Sequence, residues 1–201
     1  MSGSPAARRA SESGSRLPIL ARMETLGSHQ VYANPWIAVR EDAVRRSDGS
    51  TGTYWVVDTS DIALVIPGDG DRLHLVEQYR HPVGGRRWEF PSGSADERLD
   101  LDATEVAARE LREETGLVAG SLVPLGTLDV TPSTLNQRCS VFLATDLTQE
   151  APQREQAEQD MRSAWFSRGD IERMIRDGAI TDAKSLAAYA LLLVGGASSH
   201  G

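Results

Sequence analysis

Three glutamates and two arginines alternate within ten residues of the chain, 108–117 (ARELREETGL). The glutamates are Glu110, Glu113 and Glu114. On a helix with 3.6 residues per turn, side chains three and four residues apart lie on one side, so these carboxylates share an arc of about 100°. Carboxylate oxygens are the ligands that Mg²⁺ prefers in proteins. The spacing therefore suits a site that holds divalent cations between a helix and an anionic substrate.

This arrangement has an energetic cost. Like charges three or four residues apart destabilise an isolated helix by about 0.2–0.5 kcal/mol per pair. Glu113 and Glu114 also precede Gly116, a typical residue after a helix end, where the helix dipole disfavours an anion by about 0.3–1 kcal/mol. Arg109 and Arg112 offset part of this cost. The alternative is a solvated helix face with Arg–Glu pairs, which the charge pattern alone favours.

Other elements must position this helix. Short apolar and β-branched runs alternate with Gly- and Asp-rich turns at 47–52 and 68–71, which predicts β-hairpins. Strands are predicted at 31–44, with an irregularity at Pro35, and at 53–59, 62–67, 73–80, 86–93, 121–130, 138–147 and 162–167. Helices are predicted at 102–115, 167–178 and 181–194. The order predicts an α/β fold with a mixed sheet and helices on its faces.

Composition narrows the function classes. The chain has 201 residues, a formal net charge of −8 and one cysteine, Cys139. The acidic balance argues against a nucleic-acid partner, which needs a basic face. A single cysteine allows no internal disulfide, so we expect a cytoplasmic protein with Cys139 buried in a strand. No apolar run approaches the roughly 18 residues of a membrane span, so no membrane partner is expected.

Two segments together resemble a known signature. Residues 109–117 read Arg-Glu-apolar-x-Glu-Glu-x-Gly-apolar, and WEFPSG precedes them at 88–93. Both resemble the box of the Nudix hydrolases. The resemblance implies an α/β/α sandwich around a mixed β-sheet with N-terminal antiparallel strands. It also implies Mg²⁺- or Mn²⁺-dependent hydrolysis of a nucleoside diphosphate derivative. The loop between Gly93 and Arg109 is two residues longer than the family pattern, and Leu101 stands where the family has a glutamate.

The resemblance gives individual residues roles. Glu110 and Glu114 would be the main metal ligands, and Glu113 a further ligand or the carboxylate that orients water. The backbone carbonyl of Ser92 would be an additional ligand. Arg109 would orient Glu113 through a charge-assisted hydrogen bond. Residues 1–16 are expected to be a disordered tail, 17–58 an N-terminal β region, and 59–201 the hydrolase domain.

Three features resemble the ADP-ribose pyrophosphatase subgroup: the segment that leads to WEFPSG, Pro132, and the last helix. Ser133 departs from that subgroup, because it replaces a glycine that is common there. The implied reaction converts ADP-ribose to AMP and ribose 5-phosphate. Hydrolysis of another nucleotide sugar such as GDP-mannose stays open, and so does a catalytically silent nucleotide sensor. The resemblance to this subgroup also implies a late-loop glutamate that supplies the general base or another metal ligand. Glu158 is the candidate, with Glu155 in reserve. The alternative for either residue is a solvated acidic loop.

Three residues are candidates for substrate contact: Arg80, Trp36 and Glu89. The alternative for Arg80 is a salt bridge at the sheet edge. The alternative for Trp36, as for Tyr54, is a place in the core, where most strand aromatics lie. The subgroup usually forms homodimers in which N-terminal strands of one chain help to build the partner's site. We therefore expect a homodimer.

Overall fold

The structure, a computed structural model, describes residues 23–94, 101–154 and 159–196. The predicted tail at 1–16, most of the expanded loop after Gly93, and both Glu155 and Glu158 lie outside these ranges. The described strands are β1 (Glu24–Ala33), β2 (Ile37–Arg45), β3 (Thr51–Thr59), β4 (Ile62–Asp69), β5 (Arg72–Arg80), β6 (Gly85–Glu89), β7 (Ser92–Ser94), β8 (Leu117–Asp129), β9 (Arg138–Gln149) and β10 (Arg162–Ser167). The described helices are α1 (Ala103–Thr115), α2 (Arg168–Arg176) and α3 (Ala183–Gly196).

The first three strands form an antiparallel sheet of their own, in the order β1-β2-β3. At the β1–β2 turn the side-chain oxygen of Asn34 accepts hydrogen bonds from the backbone N–H groups of Trp36 and Ile37, at 2.8 and 2.9 Å. This local turn ends one strand at the predicted Pro35 irregularity and starts the next. The predicted hairpin at 47–52 is confirmed, with Gly49 at φ 84°.

The second sheet has seven strands in the order β10-β5-β4-β9-β8, with β6 beside β5 and β7 beside β4. Strands β4 and β9 are parallel and the other pairs are antiparallel, which confirms the mixed sheet. The β4–β5 pair closes only at Gly68–Leu73 and Asp69–Arg72. Beyond these two pairs, β4 pairs with β7 and β5 pairs with β6.

The single strand predicted over 86–93 is wrong. The chain pairs first with β5, through β6, and then crosses at Phe90 and Pro91 to pair with β4, through β7. Phe90 is buried, and its N–H donates to the Ser185 hydroxyl at 2.9 Å. The crossing places Ser92 and Gly93 beside Leu64 and Ala63 of β4.

Helices cover both faces of the large sheet, which confirms the predicted α/β/α arrangement. Val106 and Leu111 of α1 pack in one apolar cluster with Val65 and Phe142 of the sheet. On the opposite face, α2 and α3 contribute to a second cluster that also contains Cys139, buried as predicted. In the described ranges, none of the helices combines the length and apolar character needed to cross a membrane.

Helix α1 has well-defined ends. The Asp102 carboxylate accepts hydrogen bonds from the N–H groups of Thr104 and Glu105, and the Glu105 carboxylate accepts from the N–H of Asp102. This capping box satisfies donors that have no partner within the helix. Gly116 closes the other end at φ 75° in the left-handed region, as predicted. The sequence therefore fixes where the glutamate-bearing helix starts and stops.

Candidate active site

Two of the three clustered glutamates are buried together. Glu110 is 8% exposed and Glu114 is 1% exposed, one helical turn apart on α1, whereas Glu113 is partly exposed. A Cβ atom on Gly93 would lie 2.2 Å from the Glu110 carboxyl carbon. The carboxyl group of Glu110 therefore occupies the space that any other residue at position 93 would fill. A solvated salt-bridged face, the alternative from sequence, does not describe these two buried side chains.

Arg109 links helix and strand. Its Nη2 donates to the Ser94 carbonyl at 2.9 Å and to Oε1 of Glu110 at 2.7 Å. Its Nε lies 3.6 Å from Oε2 of Glu113, an ion pair longer than a hydrogen bond. The hydrogen bond expected between Arg109 and Glu113 is therefore made with Glu110 instead. This guanidinium fixes Glu110 against the strand that carries Ser92.

The donor set fits a hard divalent cation. Mg²⁺ binds proteins through one or two carboxylates and completes its shell with water and substrate phosphate oxygens. Glu110 and Glu114 supply two such carboxylates. Because residue 93 is a glycine, the Glu110 carboxyl group can lie close to the backbone of β7. Within the described residues, no three His, Cys, Asp or Glu side chains are already gathered around one point. Two carboxylates match the share of ligands that proteins supply to Mg²⁺, with water and substrate phosphate supplying the others.

The C-terminal carbonyls of α1 accept hydrogen bonds from the end of β9 and from the segment that follows it, contacts that the sequence did not predict. The Glu113 carbonyl accepts from the N–H of Gln153 at 3.0 Å, and the Glu114 carbonyl from Nε of Arg154 at 3.0 Å. The Thr115 carbonyl accepts from the Gln149 side chain at 3.1 Å. The end of the helix that carries the glutamates is therefore anchored by a distant part of the chain.

Arg80 of β5 and Glu89 of β6 form an ion pair between two neighbouring strands. Nε and Nη2 of Arg80 donate to the two carboxylate oxygens of Glu89 at 2.9 and 2.8 Å. Burial alone would lower the pKa of Arg80. The hydrogen bonds to Glu89 and the charges of Glu89, Glu114 and Asp182 raise that pKa above its ordinary value. The pairing that was the alternative for Arg80 is present, and it lies within the electrostatic field of Glu114.

The chain also matches models of known families. The model of the NUDIX domain matches residues 58–189, more than half of the chain. The chain belongs to the Nudix family. The model described as nucleoside diphosphate sugar hydrolase N-terminal domain matches residues 23–57 of the same Nudix protein.

Relatives of this Nudix hydrolase agree with that assignment. It is 34% identical to the ADP-ribose pyrophosphatase of Mycobacterium tuberculosis over 82% of this chain and 80% of the relative. It is 25% identical to the ADP-ribose pyrophosphatase of Bacillus subtilis over 84% of this chain and 90% of that one. A solved structure described as an ADP compounds hydrolase has the same fold, with a TM-score of 0.80 at 21% identity, over 90% of this chain and 97% of that one.

The other predicted site residues of this Nudix hydrolase are spread over the fold. Trp36 lies in the β1–β2 turn and is 77% exposed, so the alternative that it belongs to the core is wrong. Tyr54, at 36% exposed, is also outside the core, and its hydroxyl donates to the Ser133 carbonyl at 2.8 Å. Glu89 is 1% exposed behind Arg80. Glu158, the candidate base, lies outside the described residues.

Proposed function

We propose that this enzyme hydrolyses the pyrophosphate bond of ADP-ribose to AMP and ribose 5-phosphate, with Mg²⁺ or Mn²⁺. The burial of Glu110 and Glu114 on successive turns, with the Glu110 carboxyl group against Gly93, carries the proposal. Two carboxylates four residues apart on a helix repel each other, and together they suit a cation that bridges to phosphate. The ADP-ribose pyrophosphatases among the relatives support this choice of substrate.

Each residue has a defined part in this scheme. Glu110 and Glu114 would hold the metal, with Glu113 and the Ser92 carbonyl as further donors. Metal ions, when bound, neutralise charge on the phosphate oxygens and make a water nucleophilic. Arg109 would keep Glu110 in position through its bond to the Ser94 carbonyl. Glu158 stays the proposed general base, with Glu155 in reserve.

Arg80 and Trp36 are the residues that we propose contact the substrate. One edge of the Arg80 guanidinium faces Glu89, and its side chain is still 40% exposed, which leaves surface for an anionic substrate. Glu89 would then orient Arg80. Trp36 offers an exposed ring on which a base could stack. We also propose a homodimer, because the apolar side chains of β1 and its turn are exposed in one chain.

Replacing Glu114 with glutamine tests the metal assignment. Glu114→Gln keeps the side-chain shape but loses the charge, so turnover of ADP-ribose should fall by at least roughly 10–100-fold. The fold should persist, because glutamine keeps the shape of the side chain, and circular dichroism checks this. Glu150→Gln, at an exposed side chain that pairs with Arg112, is the matched control. Product formation is followed by chromatography; near-normal activity of Glu114→Gln would refute the assignment.

A substrate panel separates the alternatives. ADP-ribose, GDP-mannose, UDP-glucose, NADH, dinucleoside polyphosphates and oxidised nucleoside triphosphates are compared with Mg²⁺ and with Mn²⁺. Preferential release of AMP and ribose 5-phosphate is the expected result. Preference for GDP-mannose would reassign the substrate. Tight ADP-ribose binding without product would identify a sensor, and no turnover of any compound would remove the hydrolase proposal.

A further inference from the structure

Arg154 connects two elements that border the glutamate cluster. Its Nε donates to the Glu114 carbonyl at 3.0 Å, and its Nη1 donates to the Met161 carbonyl at 2.5 Å. Glu114 is in the last turn of α1, and Met161 immediately precedes β10. A single guanidinium therefore bridges the end of the helix and the start of the edge strand.

Burial and further hydrogen bonds hold the two ends of the Arg154 bridge in place. Arg154 is only partly exposed, and Met161 is 3% exposed. The N–H of the preceding residue, Gln153, donates to the Glu113 carbonyl at 3.0 Å. The Arg154 carbonyl itself accepts from the Gln159 side chain at 2.9 Å. Adjacent residues thus satisfy successive carbonyls at the end of α1, and the backbone around Arg154 is held as well.

The same guanidinium places positive charge where the helix needs it. The last carbonyls of a helix form the negative end of its dipole, which disfavours the nearby carboxylates of Glu113 and Glu114. A cation that hydrogen-bonds one of these carbonyls offsets that effect and holds the backbone of Glu114 itself. Nothing in the sequence marks this role, because forty residues separate the two partners.

We propose that Arg154 is a positioning residue of the active site, which sets the orientation of Glu114 for metal binding by bridging α1 to the strand β10. Arg154 acts through the backbone of Glu114 rather than on the substrate. The inference rests on the proposed function for its kinetic consequence, but its effect on metal binding is independent of which substrate is cleaved.

Arg154→Ala tests this with metal binding as the first readout. Mn²⁺ binding to the protein without substrate is measured by calorimetry. Loss of a positive charge beside the site would by itself tighten cation binding. Loss of positioning weakens it, by roughly 10–100-fold as for other residues that orient ligands. Weaker Mn²⁺ binding supports the proposal, and unchanged or tighter binding overturns it.

Kinetics and rescue give the second readout. In Arg154→Ala, kcat should fall while the KM for substrate stays near the wild-type value, because the proposed role of Arg154 acts through the backbone of Glu114. Guanidinium ion, far below denaturing concentrations, should restore part of kcat and of Mn²⁺ affinity. Should Arg154→Ala fail to fold, Arg154→Lys keeps the charge but lacks the planar fork. Wild-type Mn²⁺ affinity in Arg154→Lys would overturn the bridging role.

Arg112→Ala is the matched control. Arg112 lies on the same helix and donates to the Glu150 carboxylate of the same segment, but both side chains are about half exposed. Exposed pairs of this kind contribute little. Mn²⁺ affinity and kcat should therefore stay at wild-type values. If the wild type cleaves no nucleotide substrate while Arg154→Ala alone weakens Mn²⁺ binding, the proposed function fails and the positioning role stands.

Discussion

Gly93 is the residue whose lack of a side chain shapes the site. It belongs to β7, opposite Ala63 of β4, and the Glu110 carboxyl group fills the space beside its Cα. Arg109 holds that carboxyl group from the other side and binds the carbonyl of Ser94, next to Gly93. Strand and helix therefore determine the position of Glu110 together, and a single methyl group should disturb it.

We expect Gly93→Ala to displace the Glu110 carboxylate and to lower both Mn²⁺ affinity and turnover by roughly 10–100-fold. The clash is with the far end of a flexible side chain, so the fold should persist, as a thermal melt would check. Gly169→Ala is the control, because its nearest neighbouring atom would be 4.0 Å from the new Cβ. Wild-type metal affinity in Gly93→Ala would mean that Glu110 binds no metal in this conformation.

At the scale of elements, the two ends of α1 differ in how far apart their partners lie in the chain. The N-terminal end is capped by Asp102 and Glu105, three residues apart, and the sequence predicted this end to within one residue. The C-terminal end depends on Gln153 and Arg154, which come near only because β9 ends beside the helix. Local capping chemistry can be predicted from sequence, whereas a contact set by strand pairing cannot.

The same distinction between local and long-range contacts explains where the predicted strands differ from the observed ones. Turn residues predicted the hairpins around Gly49 and Gly70, because left-handed backbone favours glycine there. Residues 86–93 divide into two strands because β6 pairs with β5 whereas β7 pairs with β4. These pairings depend on the order of strands in the whole sheet, which a local pattern does not show. The helical spacing likewise placed Glu110 and Glu114 on one side of α1, but the hydrogen bond of Arg109 to Glu110 rather than to Glu113 could not be predicted from spacing.

Strands β5 and β10 carry a pH-sensitive contact. His74 and Trp165 are directly paired across these strands, with ring centroids 4.8 Å apart. His74 is 5% exposed, and burial lowers its pKa from 6.5 to about 4. The unfolded chain therefore binds a proton at this histidine between these two pH values, and the folded chain does not.

The free energy of unfolding should consequently fall as the pH drops from 6.5 towards 4, with His74 contributing roughly 3 kcal/mol of that loss. His74→Phe keeps an aromatic contact with Trp165 and should flatten this part of the profile in urea titrations. His81→Ala, in the exposed turn after β5, should leave the slope as in the wild type. An equal slope in all three proteins would show that His74 is not buried in the neutral form.

At the scale of the whole molecule, the side chains of the N-terminal sheet pack little against the other described parts of the chain. Neither apolar cluster of the described residues includes a residue from β1, β2 or β3. All ten residues of β1 are exposed, among them Leu26, Val31 and Tyr32. A three-stranded sheet is stable only when a face is packed. A second copy of the chain is the partner that we propose for this surface.

Strand β3 connects this sheet to the hydrolase domain through hydrogen bonds. The N–H of Val57 donates to the Thr134 carbonyl at 2.9 Å, and the side chain of Asn136 donates to Asp58. These partners lie in the segment 131–138, where the sequence departs from the ADP-ribose pyrophosphatase pattern at Ser133. The attachment leaves the ring of Trp36 exposed.

If each site combines the glutamates of one chain with Trp36 of the other, two inactive variants should complement each other. Glu114→Gln and Trp36→Ala, unfolded together and refolded in equal amounts, would form mixed dimers with one intact site. Random pairing gives about a quarter of the wild-type activity at low ADP-ribose concentration, because half of the dimers are mixed and each has one working site of two.

The control mixture pairs Glu114→Gln with Glu110→Gln, which lie on the same helix of the same chain. Every site in that mixture carries one defect whichever chains associate, so no activity should return. Light scattering establishes that each mixture is dimeric before it is assayed. Recovery in the first mixture alone requires a site shared between chains. Failure of both mixtures, in proteins that are dimeric, places Trp36 and the glutamates of each working site on one chain, and the N-terminal sheet would then serve association only.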